Sequence, residues 1–307
     1  MAAGQGKPMG TSDAANASRH GRRNGFSSEN WLSFWLQSIT SRPSLGLTML
    51  NRIESHFSLR YALVAFLCLI PTLLVMAVAS PSRAQNVDAA QPVLIDGGHH
   101  GDELLSVDFA LDAVRGLCGD ADPQVTAWLQ RVQVWVVPMV NPDGVQVQLD
   151  GSSARGRKND RDATTDGVDL NRNYPFRWAA LGDLGSSGWP GDDWFRGPRP
   201  GSEPEVQALM RLADGEHFVA ALSYHTLGTV ILASYTTDGV SNPAPNEAWL
   251  LAQTLARALP LQPSGRHFRV QRNIYPVDGV SQDWLRAAHG TAALLLEGAV
   301  QNPTGEA

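Results

Sequence analysis

The stretch Val93-Leu94-Ile95-Asp96-Gly97-Gly98-His99-His100-Gly101-Asp102-Glu103 restricts the fold more than any other part of the chain. Its short apolar start reads as a buried strand. Glycines then permit a sharp turn, and Leu105, Phe109 and Ala113 follow at helical spacing. Open α/β sheets are built from strands that turn into helices in this way, and they place their chemistry at the carboxyl ends of the strands. His100-x-x-Glu103 stands at such an end. Zinc accepts His nitrogen and Glu oxygen at about 2.0–2.2 Å, and a catalytic zinc has three protein ligands and one position left for water. The rest of the chain must therefore supply a third ligand, a base and a substrate clamp. His99 competes with His100, and the His-x-x-Glu register selects His100.

Beyond this stretch, strand and helix patterns alternate. Helices are expected over 102–117, 123–131, from Ser202 to about Ala213, over 246–259 and over 281–289. Strands are expected over 132–140, 218–224, 230–235 and 291–297. Asn141-Pro142-Asp143-Gly144 reads as a turn, and Ser202 as a helix cap with acids in the first turn. Residues 148–200 form a long loop region with Trp178, Trp189 and Trp194 set in polar text, which favours a binding loop over disorder. The expected fold is α/β, a mixed sheet flanked by helices.

Composition divides the 307 residues unevenly. Residues 1–60 carry 7 Lys and Arg against 3 Asp and Glu in Gly/Ser/Asn-rich text, and read as a disordered basic segment. Tyr61 to Ala79 is an apolar run, followed by Ser80-Pro81-Ser82-Arg83-Ala84. A basic flank, an apolar core and small exit residues make 61–84 a signal peptide or, at nearly bilayer-spanning length, a retained membrane anchor through 61–79. Both alternatives place the domain 85–307 outside the cytoplasm, periplasmic or secreted. That domain has 16 Lys and Arg against 27 Asp and Glu, a net charge of −11 that argues against nucleic acid. Cys118 is its sole cysteine, so packing and not an internal disulfide must hold it.

Further candidates follow from residue type and place. His225 ends the run Leu222-Ser223-Tyr224, and Glu297 ends Leu294-Leu295-Leu296. Taken alone, a strand-end histidine is more often an ordinary buried residue, and an acid there more often reaches solvent. Partial burial would raise an acid's pKa toward that of a useful base. Gly167-Val168-Asp169-Leu170-Asn171-Arg172-Asn173 combines an acid, amides and a guanidinium suited to a carboxylate. Arg157-Lys158-Asn159-Asp160-Arg161 lies upstream; in isolation both runs read as solvated loops.

The order His100-x-x-Glu103, Asn171-Arg172 within Gly-Val-Asp-Leu-Asn-Arg-Asn, His225, Tyr275 and Glu297 resembles the zinc carboxypeptidases of the carboxypeptidase A type. Gly197-Pro198 and Gly201-Ser202-Glu203-Pro204-Glu205 add to the likeness, which spans roughly 93–299. The resemblance implies one Zn2+ held by His100, Glu103 and His225, with Asp169 hydrogen-bonded to a ligand histidine. It implies Glu297 as the base, Asn171 and Arg172 as the clamp on a terminal carboxylate, and Tyr275 as the residue closing over that end. The arginine that stabilises the oxyanion is matched best by Arg157, with Arg161 its competitor. Gln282 takes the base of the side-chain pocket, which implies a polar or amphipathic residue there. Set against larger members of that family, the domain reads as shortened at both ends, which puts its stability in question.

The resulting expectation is a metallocarboxypeptidase acting on peptides with a free C-terminal carboxylate. A murein peptide amidase with the same zinc chemistry, and a non-catalytic binding relative, are the alternatives.

Overall fold

The computed structural model describes residues 90–119, 122–151, 156–159, 167–261 and 266–299. The basic segment 1–60, the export segment 61–84 and Arg161 lie outside the described residues. In chain order the elements are β1 (Gln91–Asp96), α1 (Leu104–Gly119), α2 (Pro123–Leu129), β2 (Val132–Val137) and α3 (Pro142–Leu149). After a long loop with two 3-10 turns, Leu170–Arg172 and Gly182–Leu184, come α4 (Pro204–Glu216), β3 (Ala220–His225) and β4 (Val230–Ala233). The chain ends with α5 (Glu247–Ala258), β5 (Pro260–Leu261), β6 (Arg266–His267), β7 (Arg269–Gln271), α6 (Ser281–His289) and β8 (Ala292–Glu297). Among these residues no helix is long and apolar enough to cross a membrane.

Six strands form one sheet in the order β2-β1-β3-β8-β4-β7. The pairs β1–β2, β1–β3 and β3–β8 are parallel, β4 runs antiparallel to β8, and β7 follows β4. This is the mixed sheet expected from the sequence. Its central strands are buried and largely apolar, as expected where helices cover both faces. Alternate side chains divide between two cores. Val93 and Ile95 join Leu222, Leu294 and Leu296 under Phe109 of α1 and Leu251 and Leu255 of α5. Leu94, Ala221 and Ala293 point the other way, to Val206 and Leu209 of α4 and Trp284 of α6. Fully burying one such side chain contributes about 1.5–3 kcal/mol.

Two local expectations are corrected. Asn141-Pro142-Asp143-Gly144 is no free turn: Asn141 accepts from the Gly144 N–H and caps α3, with Pro142 in its first turn. Proline suits that position because its missing N–H would have had no helical partner. At α4 the capping residue is Glu203, without a side-chain cap bond. Ser202 instead donates its hydroxyl to the Glu203 carboxylate.

Candidate metal centre and cleft

Parallel strands β1, β3 and β8 end together, and their ends build the site. The turn after β1 needs glycine twice. Gly98 has φ of +65°, and a Cβ on Gly101 would come within 2.0 Å of the Gly144 backbone. That tight turn sets His100 and Glu103 beside His225 at the end of β3.

Glu103 Oε1 lies 2.6 Å from His100 Nδ1, and its Oε2 lies 3.0 Å from His225 Nδ1. The two Nδ1 atoms are 3.3 Å apart. Tetrahedral zinc with bonds of about 2.0–2.2 Å holds its donor atoms roughly 3.3 Å from one another. The triad is thus closed almost to the spacing of a ligand set, and it is the single group of this kind among the described residues. Opposite this face, His100 Nε2 sits 3.2 Å from Asp169 Oδ1, a contact that orients a ligand ring. The backbone N–H of Thr226 steadies Glu103 Oε2 at 3.0 Å.

Charges at the triad are set by burial and by one another. Burial alone would raise the Glu103 carboxyl, yet His100 and His225 outweigh it and hold it well below the usual range. Burial and Arg157 press the His100 pKa down, but Glu103 and Asp169 win and lift it to about 9. His225 is lowered to about 4, chiefly by burial, so it is the neutral imidazole that metals bind. The His100–Glu103 pair carries a proton that an incoming cation displaces. Glu297, the strand neighbour of His225, is raised by burial and then by the charge of Glu103.

A cleft opens from the triad. His100, His225, Asn171, Arg172 and Glu297 line it together with Leu232, Val277, Leu295, Tyr275 and Gln282. Three buried atoms on this lining, His225 Nε2, Arg172 Nε and Glu297 Oε2, have no protein hydrogen-bond partner. Gln282 is buried and donates to Thr236 Oγ1 at 3.2 Å. Asn171 is fixed by the Ser281 N–H on its Oδ1 at 2.9 Å. The Tyr275 hydroxyl stands 3.5 Å from Arg172 Nη2.

The structure therefore gathers the triad, Asp169, Glu297, Asn171, Arg172, Tyr275 and Gln282 around one cleft. Arg157 lies just behind: its Nε and Nη2 donate to Asp169 Oδ2 at 3.0 and 2.8 Å, and its Nη1 is 3.8 Å from Glu103. Asp169 is held well below the carboxylate range because Arg157, His100 and Arg172 overcome its burial. Of the two charged runs that read as solvated in isolation, Lys158, Asn159, Asp169, Asn171, Arg172 and Asn173 are buried and Arg157 is half-buried. Lys158 donates to the carbonyls of Pro190 and Asp192, and Asn159 donates to Glu203 and Glu205. Sequence reading also left His99 without a role. Its Nδ1 faces Asp96 at 3.2 Å, its Nε2 faces the Tyr174 hydroxyl at 3.0 Å, and its ring stacks on His225. The doubled histidine was the one available signal.

Comparison with known proteins decides the kinship. The zinc carboxypeptidase family model matches residues 71–302. The chain belongs to the zinc carboxypeptidase family. The match begins inside the apolar run 61–79 that reads as a signal or anchor. Carboxypeptidase A6 of Mus musculus is 29% identical over 221 residues, covering 69% of this chain and 49% of the relative. A metallocarboxypeptidase A-like protein of Trichophyton verrucosum is 32% identical over 204 residues, covering 63% of this chain and 47% of its own length. The chain thus spans about half the length of these curated relatives. The crystal structure of carboxypeptidase A from Helicoverpa armigera shares the fold, with a TM-score of 0.59 at 22% identity over 73% of this chain and 55% of that one.

Proposed function

We propose that this zinc carboxypeptidase family member is a zinc-dependent carboxypeptidase that removes one residue from the C-terminus of a peptide. The observation that carries the reading is the convergence of three elements on one cleft. His100 and His225 of the triad, the half-buried acid Glu297 and Arg172 all line the same cleft, with Glu103 beside the two histidines. Zinc held by the triad supplies Lewis-acid polarisation of a carbonyl and acidifies water toward pKa ~7.

The chain's own groups do the rest. Arg172 and Asn171 bind the terminal carboxylate, the former as a charge-assisted donor whose Nε has no protein partner. Glu297, raised by burial, takes a proton from the attacking water and passes it to the leaving amine. The carbonyl carbon gains the water oxygen, the C–N bond breaks, and the amine leaves with that proton. Arg157, oriented by Asp169 and 3.8 Å from Glu103, is assigned to stabilise the developing oxyanion. Tyr275 covers the clamp. Gln282, with Leu232, Val277 and Leu295 around it, favours a polar or amphipathic side chain on the departing residue. A murein peptide with such an end remains the second substrate to try. We assign the peptidase domain to 85–307, exported by 61–84, so that the substrate is met outside the cytoplasm.

The test uses the full chain, a metal assay and a series of peptides with varied C-terminal residues, alongside murein tripeptide and C-terminally amidated controls. One zinc per chain and release of single C-terminal residues are expected, lost on chelation and restored by zinc. Activity that survives thorough metal removal overturns the zinc reading. Cleavage of murein peptide alone replaces the peptidase reading with the amidase one.

A further inference from the structure

The loop from Ser187 to Phe195 exposes two tryptophans, Trp189 at 71% and Trp194 at 43%, yet it is firmly built. Ser187 and Phe195 form a parallel bridge, and the Ser187 N–H donates to the Trp194 carbonyl at 2.9 Å. The Asp192 carboxylate accepts from the Trp194 N–H at 2.9 Å, and the Asp192 N–H donates to the Trp189 carbonyl at 3.0 Å. Buried Lys158 adds its ammonium, donating to the carbonyls of Pro190 at 2.9 Å and Asp192 at 2.8 Å. A buried lysine is costly unless its donors are used, and here they pin a surface loop. Lys158 directly follows Arg157, which is itself bound to Asp169. The loop is therefore tied to the same framework as the metal triad.

This loop sets a flat ring against Tyr275, one of the residues that line the cleft. Trp194 and Tyr275 lie parallel, 2° apart in plane with centroids 5.8 Å apart, within the range of an offset aromatic stack. Tyr275 is 42% exposed and sits at the cleft mouth with its hydroxyl 3.5 Å from Arg172. A half-exposed tyrosine on a loop still loses its χ1 and backbone freedom on ordering. A rigid indole beside it removes that cost before substrate arrives.

We propose that Trp194 is a positioning residue, a fixed platform that keeps the Tyr275 ring over the Arg172 carboxylate clamp. The inference rests on the reading of Arg172 as that clamp. It assigns work to a tryptophan in the long polar loop that neither the metal chemistry nor the proton transfer uses.

A double-mutant cycle on the full-length zinc-loaded protein tests it, with a peptide bearing a free C-terminal carboxylate as substrate. Trp194→Ala is expected to raise KM by about three- to tenfold, the worth of one aromatic pair, with a smaller change in kcat. Trp194→Phe should recover most of the loss. In a Tyr275→Ala background the same Trp194→Ala change should add nothing. Equal losses in both backgrounds, or an unchanged KM with Tyr275 present, overturn the proposal. A second arm needs no catalysis: Tyr275→Ala should shift tryptophan emission in the parent chain but not in the Trp194→Phe chain. The same shift in both chains, or in neither, also overturns it. Failure of the underlying clamp reading is seen separately, as a parent enzyme indifferent to amidation of the substrate's C-terminus.

Discussion

His225 and Glu297 are Cα partners at the ends of the parallel strands β3 and β8. One ladder therefore delivers both a candidate metal ligand and the candidate base. Adjacent strands lie about 4.7–4.9 Å apart, a spacing fixed by backbone hydrogen bonds and not by loop packing. The Ala293-to-Leu296 run that precedes Glu297 is buried on both faces, so the acid is held at the end of a central strand with little freedom.

Glu297→Gln should separate metal binding from hydrolysis. The amide keeps the shape of the side chain, and Oε2 of Glu297 has no protein partner to lose. Zinc stoichiometry should stay at one while kcat falls by about 10²–10⁴, the usual contribution of a general base. Near-normal turnover with full zinc would remove Glu297 from the role.

Arg172→Ala should discriminate between substrates. A hydrogen bond to a charged group is worth about 1.5–3 kcal/mol, or roughly 10- to 100-fold in kcat/KM. That loss should fall on peptides with a free terminal carboxylate and barely touch C-terminally amidated ones, measured side by side. If both kinds suffer alike, the arginine serves structure and not the clamp.

Much of this arrangement was legible before any coordinates. The bounds of α6 come out as Ser281–His289, as read, because an amphipathic stretch there ends on a left-handed glycine, Gly290. His100-x-x-Glu103 stood out because it follows a strand end, where chemistry belongs in this class of sheet, whereas His225 joined it only through the resemblance to the zinc carboxypeptidases. What escaped depends on distant partners. Arg157, Lys158 and Asn159 look like solvated loop, but each meets a different acceptor far along the chain, namely Asp169, the Pro190–Asp192 carbonyls and Glu203. No local pattern announces such pairings. The edge strand β7 escaped for another reason: three residues with only Val270 apolar carry no usable periodicity. Asn141-Pro142-Asp143-Gly144 was misread because turn chemistry and helix-cap chemistry use the same residues.

Away from the cleft, Glu205 should make stability depend on pH. Burial, then the charges of Glu203 and Asp143, raise its carboxyl to about 7 from an ordinary 4.5, against the Asn159 bonds that oppose them. The folded state thus binds this proton more tightly than the unfolded chain does. Stability from this group is present below about pH 4.5 and is lost as pH rises through about 7. Glu205→Gln keeps an acceptor for Asn159 and carries no charge. Its melting temperature should exceed that of the parent at pH 8 and match it near pH 4.5. A difference that does not change with pH would show that Glu205 is not the titrating group.

His99 provides the last test, because its burial makes sense only if both ring nitrogens are used. Nδ1 faces Asp96, which also accepts the Ser223 hydroxyl at 2.5 Å, and Nε2 faces the Tyr174 hydroxyl. The ring itself lies against His225, centroids 5.5 Å apart at 21°. His99→Leu fills a similar volume but takes from the Tyr174 hydroxyl its partner and from Asp96 its contact beyond Ser223, at about 1–3 kcal/mol for each interaction lost. Adding Tyr174→Phe should return one of those increments, since the stranded hydroxyl is then gone. The stack gives a second readout: groups that orient ligand histidines typically change metal affinity by about 10–100-fold. His99→Leu should therefore release zinc to a competing chelator faster, while the paired Tyr174→Phe change restores stability without restoring zinc retention. A His99→Leu protein as stable to urea as the parent, with unchanged zinc release, would mean that Asp96 and Tyr174 find other partners and that His225 keeps its orientation unaided.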